Sequence, residues 1–167
     1  GNYSITQAPN NTSNISQASL TISGVTANNK TYNANTVATL SGTASVTPIG
    51  LDNVSVLGTG SASFADRHVG TGKPVTVTGF GLTGTDAGNY TPVQPTGLTA
   101  NITQANLNVT GVTASNRVYD GTTNAAGTPV VASGMLFSSD TLTGGTFAFV
   151  SKNAGTNVTV NVSGISV

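Results

Sequence analysis

Apolar and polar side chains alternate along this chain in short runs. Leu20-Thr21-Ile22 and Leu107-Asn108-Val109 alternate, as do Val75-Thr76-Val77-Thr78 and the stretch from Val158 through Val160 and Val162 to Ser163. Successive side chains of a strand point to opposite faces, so each run reads as a strand with one buried and one wet face. Further strand-like runs lie at 54–57, 61–65, 98–103 and 146–150. Turn-forming residues punctuate them at Ala27-Asn28-Asn29, Gly70-Thr71-Gly72, Asp120-Gly121 and Gly144-Gly145. Residues that favour helix are scarce, while Thr, Val, Ser, Asn and Gly dominate. The pattern predicts an all-β protein with about six to eight short strands per repeat, spaced as in an antiparallel sandwich.

The runs recur. NISQASLTISGVTANNKTYNANT at 14–36 aligns with NITQANLNVTGVTASNRVYDGTT at 101–123, an offset of 87 residues. FADRHVGTGKPVTVTGF at 64–80 aligns with FVSKNAGTNVTVNVSGI at 149–165, an offset of 85. Self-similarity at a long fixed period marks a tandem array. GNY opens the chain and stands again at 88–90, and Val167 aligns with Leu82, so the expectation is a piece of a longer array. The predicted division is 1–13 as the tail of a preceding repeat, 14–100 as the first repeat and 101–167 as the second, shortened at its C-terminal end. The junction near 97–105 is apolar and strand-like, which predicts a stiff connection. The expected architecture is two β-sandwich-like, immunoglobulin-like modules stacked end to end, with β-grasp-like modules as the alternative.

Composition narrows the function. The chain of 167 residues has 6% charged residues, against about 25% in an ordinary domain, and a formal net charge of zero. With so few Lys and Arg there is no cluster for a phosphate backbone or an anionic membrane surface. No apolar run approaches the length of a membrane span. Cysteine is absent, so neither disulfides nor cysteine-ligated metals hold the fold. Hydrophobic residues at 37% nonetheless supply a core.

Candidate chemistry is thin. Asp66-Arg67-His68 places a histidine beside a carboxylate, but Asn153 stands at the aligned position of the second copy. The five aspartates, Asp52, Asp66, Asp86, Asp120 and Asp140, are too few and too scattered for calcium, which takes six to eight oxygens; Asp86 would be the first contributor. No enzyme, cofactor or metal site is expected. Exposed Thr76 and Thr78 read as ordinary strand threonines, and the Asn14, Asn101 and Asn108 sequons as products of an Asn- and Thr-rich composition.

The most distinctive segment is Arg117-Val118-Tyr119-Asp120-Gly121-Thr122-Thr123, matched by Lys30-Thr31-Tyr32-Asn33-Ala34-Asn35-Thr36. Asp120-Gly121 and Asn33-Ala34 read as tight turns, each with its tyrosine packed beneath and the hydroxyl bonded locally. A ligand reading makes Tyr32, Tyr119 and Arg117 a carbohydrate-stacking set, with Tyr3 and Tyr90 as further aromatic candidates. Buried rings would favour a structural role and exposed rings a binding one.

The Tyr-Asp-Gly-Thr-Thr turn, the Leu-x-Val-Thr-Gly-Val-Thr-Ala strand before it and the Thr-Asp-Ala-Gly-Asn-Tyr loop resemble YDG/MBG-type repeats of large bacterial exoproteins. Adhesins similar to filamentous haemagglutinin, exported by two-partner secretion, carry such repeats. The resemblance implies an extracellular stalk or adhesive module and brings no catalytic residues. The array itself makes neighbouring repeats the expected partners, the tyrosines leave polysaccharide or host glycan as the alternative ligand, and the low charge excludes nucleic acid.

Overall fold

A computed structural model of the chain describes residues 1–6, 10–132, 135–137 and 140–167. Residues 7–9, within the predicted tail, lie outside the described residues. The protein is all-β, with its strands distributed over several small sheets in a sandwich-like manner. A β-grasp module lays a helix across a sheet; the described residues contain no α-helix, only a 3-10 turn at Ala87–Asn89. The chain divides into two compact units. The first comprises Gly1–Lys30, Thr36–Asp66 and Gly70–Ile102; the second comprises Thr31–Asn35, Arg67–Val69 and Thr103–Val167.

The first repeat is built from eleven short strands: β1 (Ala18–Thr21), β2 (Ser23–Ala27), β3 (Lys30–Thr31), β4 (Val37–Ala38), β5 (Leu40–Ser45), β6 (Ser55–Leu57), β7 (Ser61–Phe64), β8 (Gly70–Thr78), β9 (Gly81–Thr83), β10 (Tyr90–Val93) and β11 (Thr99–Thr103). The runs predicted at 54–57, 61–65 and 98–103 are β6, β7 and β11. A five-stranded sheet runs in the order β3-β11-β8-β7-β4, and β2-β5 and β6-β9 form antiparallel pairs. One pair departs from the antiparallel expectation: β1 and β10 run parallel, with Ala18 opposite Tyr90 and Thr21 opposite Val93. Gln17 clamps this pair, donating from Nε2 to the Gly88 carbonyl at 2.8 Å and accepting from Thr91 Oγ1 at 3.0 Å.

Alternation predicts the core of this unit well. Leu20, Ile22, Val75 and Val77 are buried, while Thr21, Thr76 and Thr78 between them face solvent. Ile22, Val25, Val77 and Phe80 form the central cluster, and Leu40, Val56 and Leu98 pack against it. Ile22 and Ile102 are the most deeply buried large side chains; burying each contributes roughly 1.5–3 kcal/mol. The expected turns at Gly70-Thr71-Gly72 and Gly144-Gly145 are not turns. Gly70 opens β8, and the two later glycines lie inside a strand, where positive φ lets them bend it without breaking the pairing.

Among the described residues the second repeat carries four strands: β12 (Val109–Ala114), β13 (Gly127–Val131), β14 (Thr143–Phe149) and β15 (Val160–Ser166). They pair antiparallel as β12-β13 and β14-β15. The run predicted at 146–150 is β14, whereas Leu107 and Asn108 precede β12 rather than belonging to it. Among the described residues every fully buried core residue lies at or before Ile102; Val112, Val160, Val162 and Ile165 are only half-buried.

Candidate functional site

The Tyr-containing turn follows β2 in the first repeat and β12 in the second, and the two copies share a device. Lys30 Nζ lies 5.5 Å above the Phe64 ring, and the Arg117 guanidinium lies 5.3 Å above the Phe149 ring. A cation over an aromatic face is attracted by the ring quadrupole. Matching backbone bonds of 2.8 Å accompany both contacts: Phe64 N–H donates to the Thr36 carbonyl, and Phe149 N–H to the Thr123 carbonyl. Lys30 Nζ also donates to the Val37 carbonyl at 3.0 Å, and its burial lowers its pKa. The basic residue and the phenylalanine thus clasp the start of the turn to the strand packed beside it. The sequence alignment already paired Phe64 with Phe149; what it lacked was any signal that each ring meets the basic residue more than thirty positions away.

The second turn is closed by its own polar groups. Asp120 Oδ1 accepts from the Thr122 N–H and the Thr122 hydroxyl, both at 2.9 Å, while Oδ2 accepts from Arg117 at 2.5 Å. Arg117 also donates to the Thr122 hydroxyl at 2.9 Å and to the Thr122 carbonyl. The Thr122 backbone N–H, and after it the Thr122 hydroxyl and Arg117, hold the Asp120 carboxyl below its usual pKa. Gly121 sits at φ +79°, and the residue aligned with it, Ala34, adopts φ +60°. The first copy therefore makes the same left-handed turn with a side chain that disfavours it.

The tyrosines divide. Both were expected beneath their turns with local hydroxyl bonds, and neither is so placed. Tyr32, in the second compact unit, donates to Asp140 Oδ1 at 3.2 Å and meets Phe137 edge-on at 5.8 Å. Its pKa is raised, first by removal from water and then by the Asp140 hydrogen bond. Tyr119 is 60% exposed and borders a hollow of about 140 Å³ with Arg117, Phe149, Lys152 and Asn153. The buried ring is instead Tyr90, at 4% exposure. Its hydroxyl donates to Asp52 at 2.7 Å and accepts from the Ile49 N–H at 3.0 Å; the Asp52 bond, then burial, raises its pKa. Tyr3 is exposed.

The remaining candidates are bound into local structure. Asp86 accepts from the Asn53 N–H at 2.8 Å and from Thr85, which ties its loop down. Asp66 pairs with Lys73 at 2.5 Å, and His68 is exposed. Among the described residues no three His, Asp or Glu side chains converge as a metal would require.

No curated protein and no solved structure matches the chain significantly. A family model does, twice: the YDG domain matches residues 16–97 and again 103–167. Both matches contain the turn, its clasp and the strands on either side, and together they cover most of the sequence: this chain belongs to the YDG domain family.

Proposed function

We propose that these repeats are structural modules of a bacterial surface or secreted adhesin, extracellular and non-catalytic, which in series form a stalk that presents an adhesive region for attachment or biofilm growth. One observation carries this reading. The basic residue and the phenylalanine that the two repeats share are spent on the same internal clasp, Lys30 on Phe64 and Arg117 on Phe149. Repetition here preserves a way of holding the backbone. A nearly uncharged polar surface suits modules in series by limiting repulsion between neighbours. The stalk would have neighbouring repeats as its partners.

A second reading, weak multivalent binding of exopolysaccharide or host glycan, is favoured by the exposed Tyr119 ring beside its hollow. Titration of the chain with a glycan panel at millimolar concentration, followed by NMR, separates the two. The stalk reading expects no saturable shift at residues 117–123 or 149–158. A saturable shift that Tyr119→Ala removes, with the remaining spectrum unchanged, would replace the stalk by a binding surface.

A further inference from the structure

The second compact unit is not made from one stretch of chain. Besides Thr103–Val167 it includes two short segments of the first repeat, Thr31–Asn35 and Arg67–Val69, while the residues on either side of each belong to the first unit. The backbone therefore leaves the first unit after Lys30 and re-enters it at Thr36. Between those points the signature turn of the first repeat is part of the fold of the repeat that follows it.

Tyr32 fixes this turn there. Its N–H donates to the Thr103 carbonyl at 2.8 Å, its hydroxyl donates to Asp140 Oδ1 at 3.2 Å, and its ring meets Phe137 edge-on at 5.8 Å. Val69, from the other inserted segment, lines the same hollow as Tyr32, with Leu107, Leu136 and Phe137. Both excursions of the first repeat thus meet one apolar surface of the second unit.

The turn itself carries strain that an outside hold explains. Ala34 sits in the left-handed region at φ +60°, where the aligned Gly121 sits at φ +79°. An alanine in that region persists when its surroundings fix the backbone. In the second repeat Asp120 closes the turn on Thr122 and Arg117, and Tyr119 stays 60% exposed. In the first repeat Asn33 stands in place of that aspartate, and the tyrosine is the half-buried member that reaches across to Phe137 and Asp140. Two copies of one turn are therefore held differently: one by its own carboxylate, the other by what its tyrosine grips.

We propose that residues 31–35 are a plug that the second unit takes from the repeat before it, with Tyr32 as the side chain through which the first repeat stabilises the second. Modules joined only by a linker open independently, whereas a module whose packing includes a segment of its neighbour shares part of that neighbour's stability. This coupling goes beyond the stalk reading. It holds whether or not the array also binds a glycan, so a saturable shift at Tyr119 would leave it standing.

Hydrogen exchange of the full chain, read amide by amide, tests the proposal. Ser115, Ala125 and Val150 report on the second unit, since their N–H groups donate to the carbonyls of Ala126, Phe147 and Thr159; Ile22 and Val75, bonded to Val93 and Leu98, report on the first. Tyr32→Ala removes an edge-on aromatic contact and a hydrogen bond to a carboxylate. It should speed exchange of the Ser115, Ala125 and Val150 amides by roughly tenfold or more and leave Ile22 and Val75 unchanged. Tyr32→Phe keeps the ring and drops the hydroxyl, so the same three amides should accelerate by a smaller factor. Tyr119→Ala, at the aligned and exposed tyrosine, should alter neither set. A Tyr32→Ala effect confined to residues 31–35 overturns the proposal, as does one of equal size in both sets. If Tyr32→Ala leaves no folded chain, Tyr32→Phe decides alone: acceleration of the second set supports the plug, and unchanged exchange in that set refutes it.

Discussion

The two repeats share one sequence pattern over the stretch that both contain. In the first, the alternating strands close over Ile22, Val25, Val77 and Phe80; in the second, the aligned Val109, Val112, Val162 and Ile165 face an open groove. The hairpins, the turn and the cation-aromatic clasp are present in both, so these local devices do not depend on a finished core. In the first repeat β10 and β11 bring Tyr90, Ala100 and Ile102 into the core; the alignment of the second repeat stops at Val167, opposite Leu82, so the contrast covers only the strands before that point.

The largest test of this contrast is a pair of glycines. Gly24 lies at φ +86°, and a Cβ there would stand 2.3 Å from the Thr43 carbonyl oxygen; the aligned Gly111 has open space and no positive φ. Gly24→Ala should cost at least about 3 kcal/mol, combining left-handed strain with displacement of the β2-β5 bulge, whereas Gly111→Ala should change stability by less than about 0.5 kcal/mol. Urea denaturation of both variants checks this, and equal effects would mean the two hairpins are built alike. Next come the two aligned isoleucines. Ile102→Ala removes a side chain that is 1% exposed and should cost about 3 kcal/mol, while Ile15→Ala, at a fully exposed position, should be close to neutral by the same assay.

A smaller, opposite effect belongs to the turns. Ala34→Gly relieves a left-handed alanine and should stabilise the chain by about 1 kcal/mol, whereas Gly121→Ala should destabilise it by a similar amount; thermal melts of the two variants should move in opposite directions. The smallest effect is electrostatic. The folded Asp120 pKa lies below the usual 3.8, so its contribution is present above that value and disappears as pH falls through the lower folded pKa. Melting temperatures of wild type and Asp120→Asn should differ at neutral pH and converge in acid. Asn33→Asp, at the aligned position, should show no matching convergence unless Asn35 can replace Thr122 as a donor.

Much of the fold was legible because it is local. The alternation around Val75 and Val77 marks β8, and the aligned runs mark β7 and β14 together. The misreadings arise where a local signal has a distant partner. Tyr32 stands in a turn sequence, which suggested a nearby hydroxyl acceptor, yet its acceptor is Asp140, over a hundred residues along the chain. Gly144-Gly145 has turn composition, but the pairing of Thr143 with Ser166 and Thr146 with Ser163 carries the strand straight through it. The parallel β1-β10 pair leaves no period in either strand that distinguishes it from an antiparallel one. For the site, the turn and its basic residue are legible in the sequence, but nothing local to Phe64 or Phe149 marks either ring as the face that receives the cation.

The parallel pairing also sets an order of events. A chain that emerges from its N-terminus can form the β2-β5 hairpin as soon as Ser45 is free, because all of its partners are local. β1 must wait for Tyr90 and Val93, some seventy residues later. The first strand to appear is therefore among the last to be seated, and a half-emerged repeat holds Leu20 in water until its own closing strand arrives. Folding of such a module is gated by completion of its length, so the free energy of closure is released on the side of a barrier where the last strand comes out.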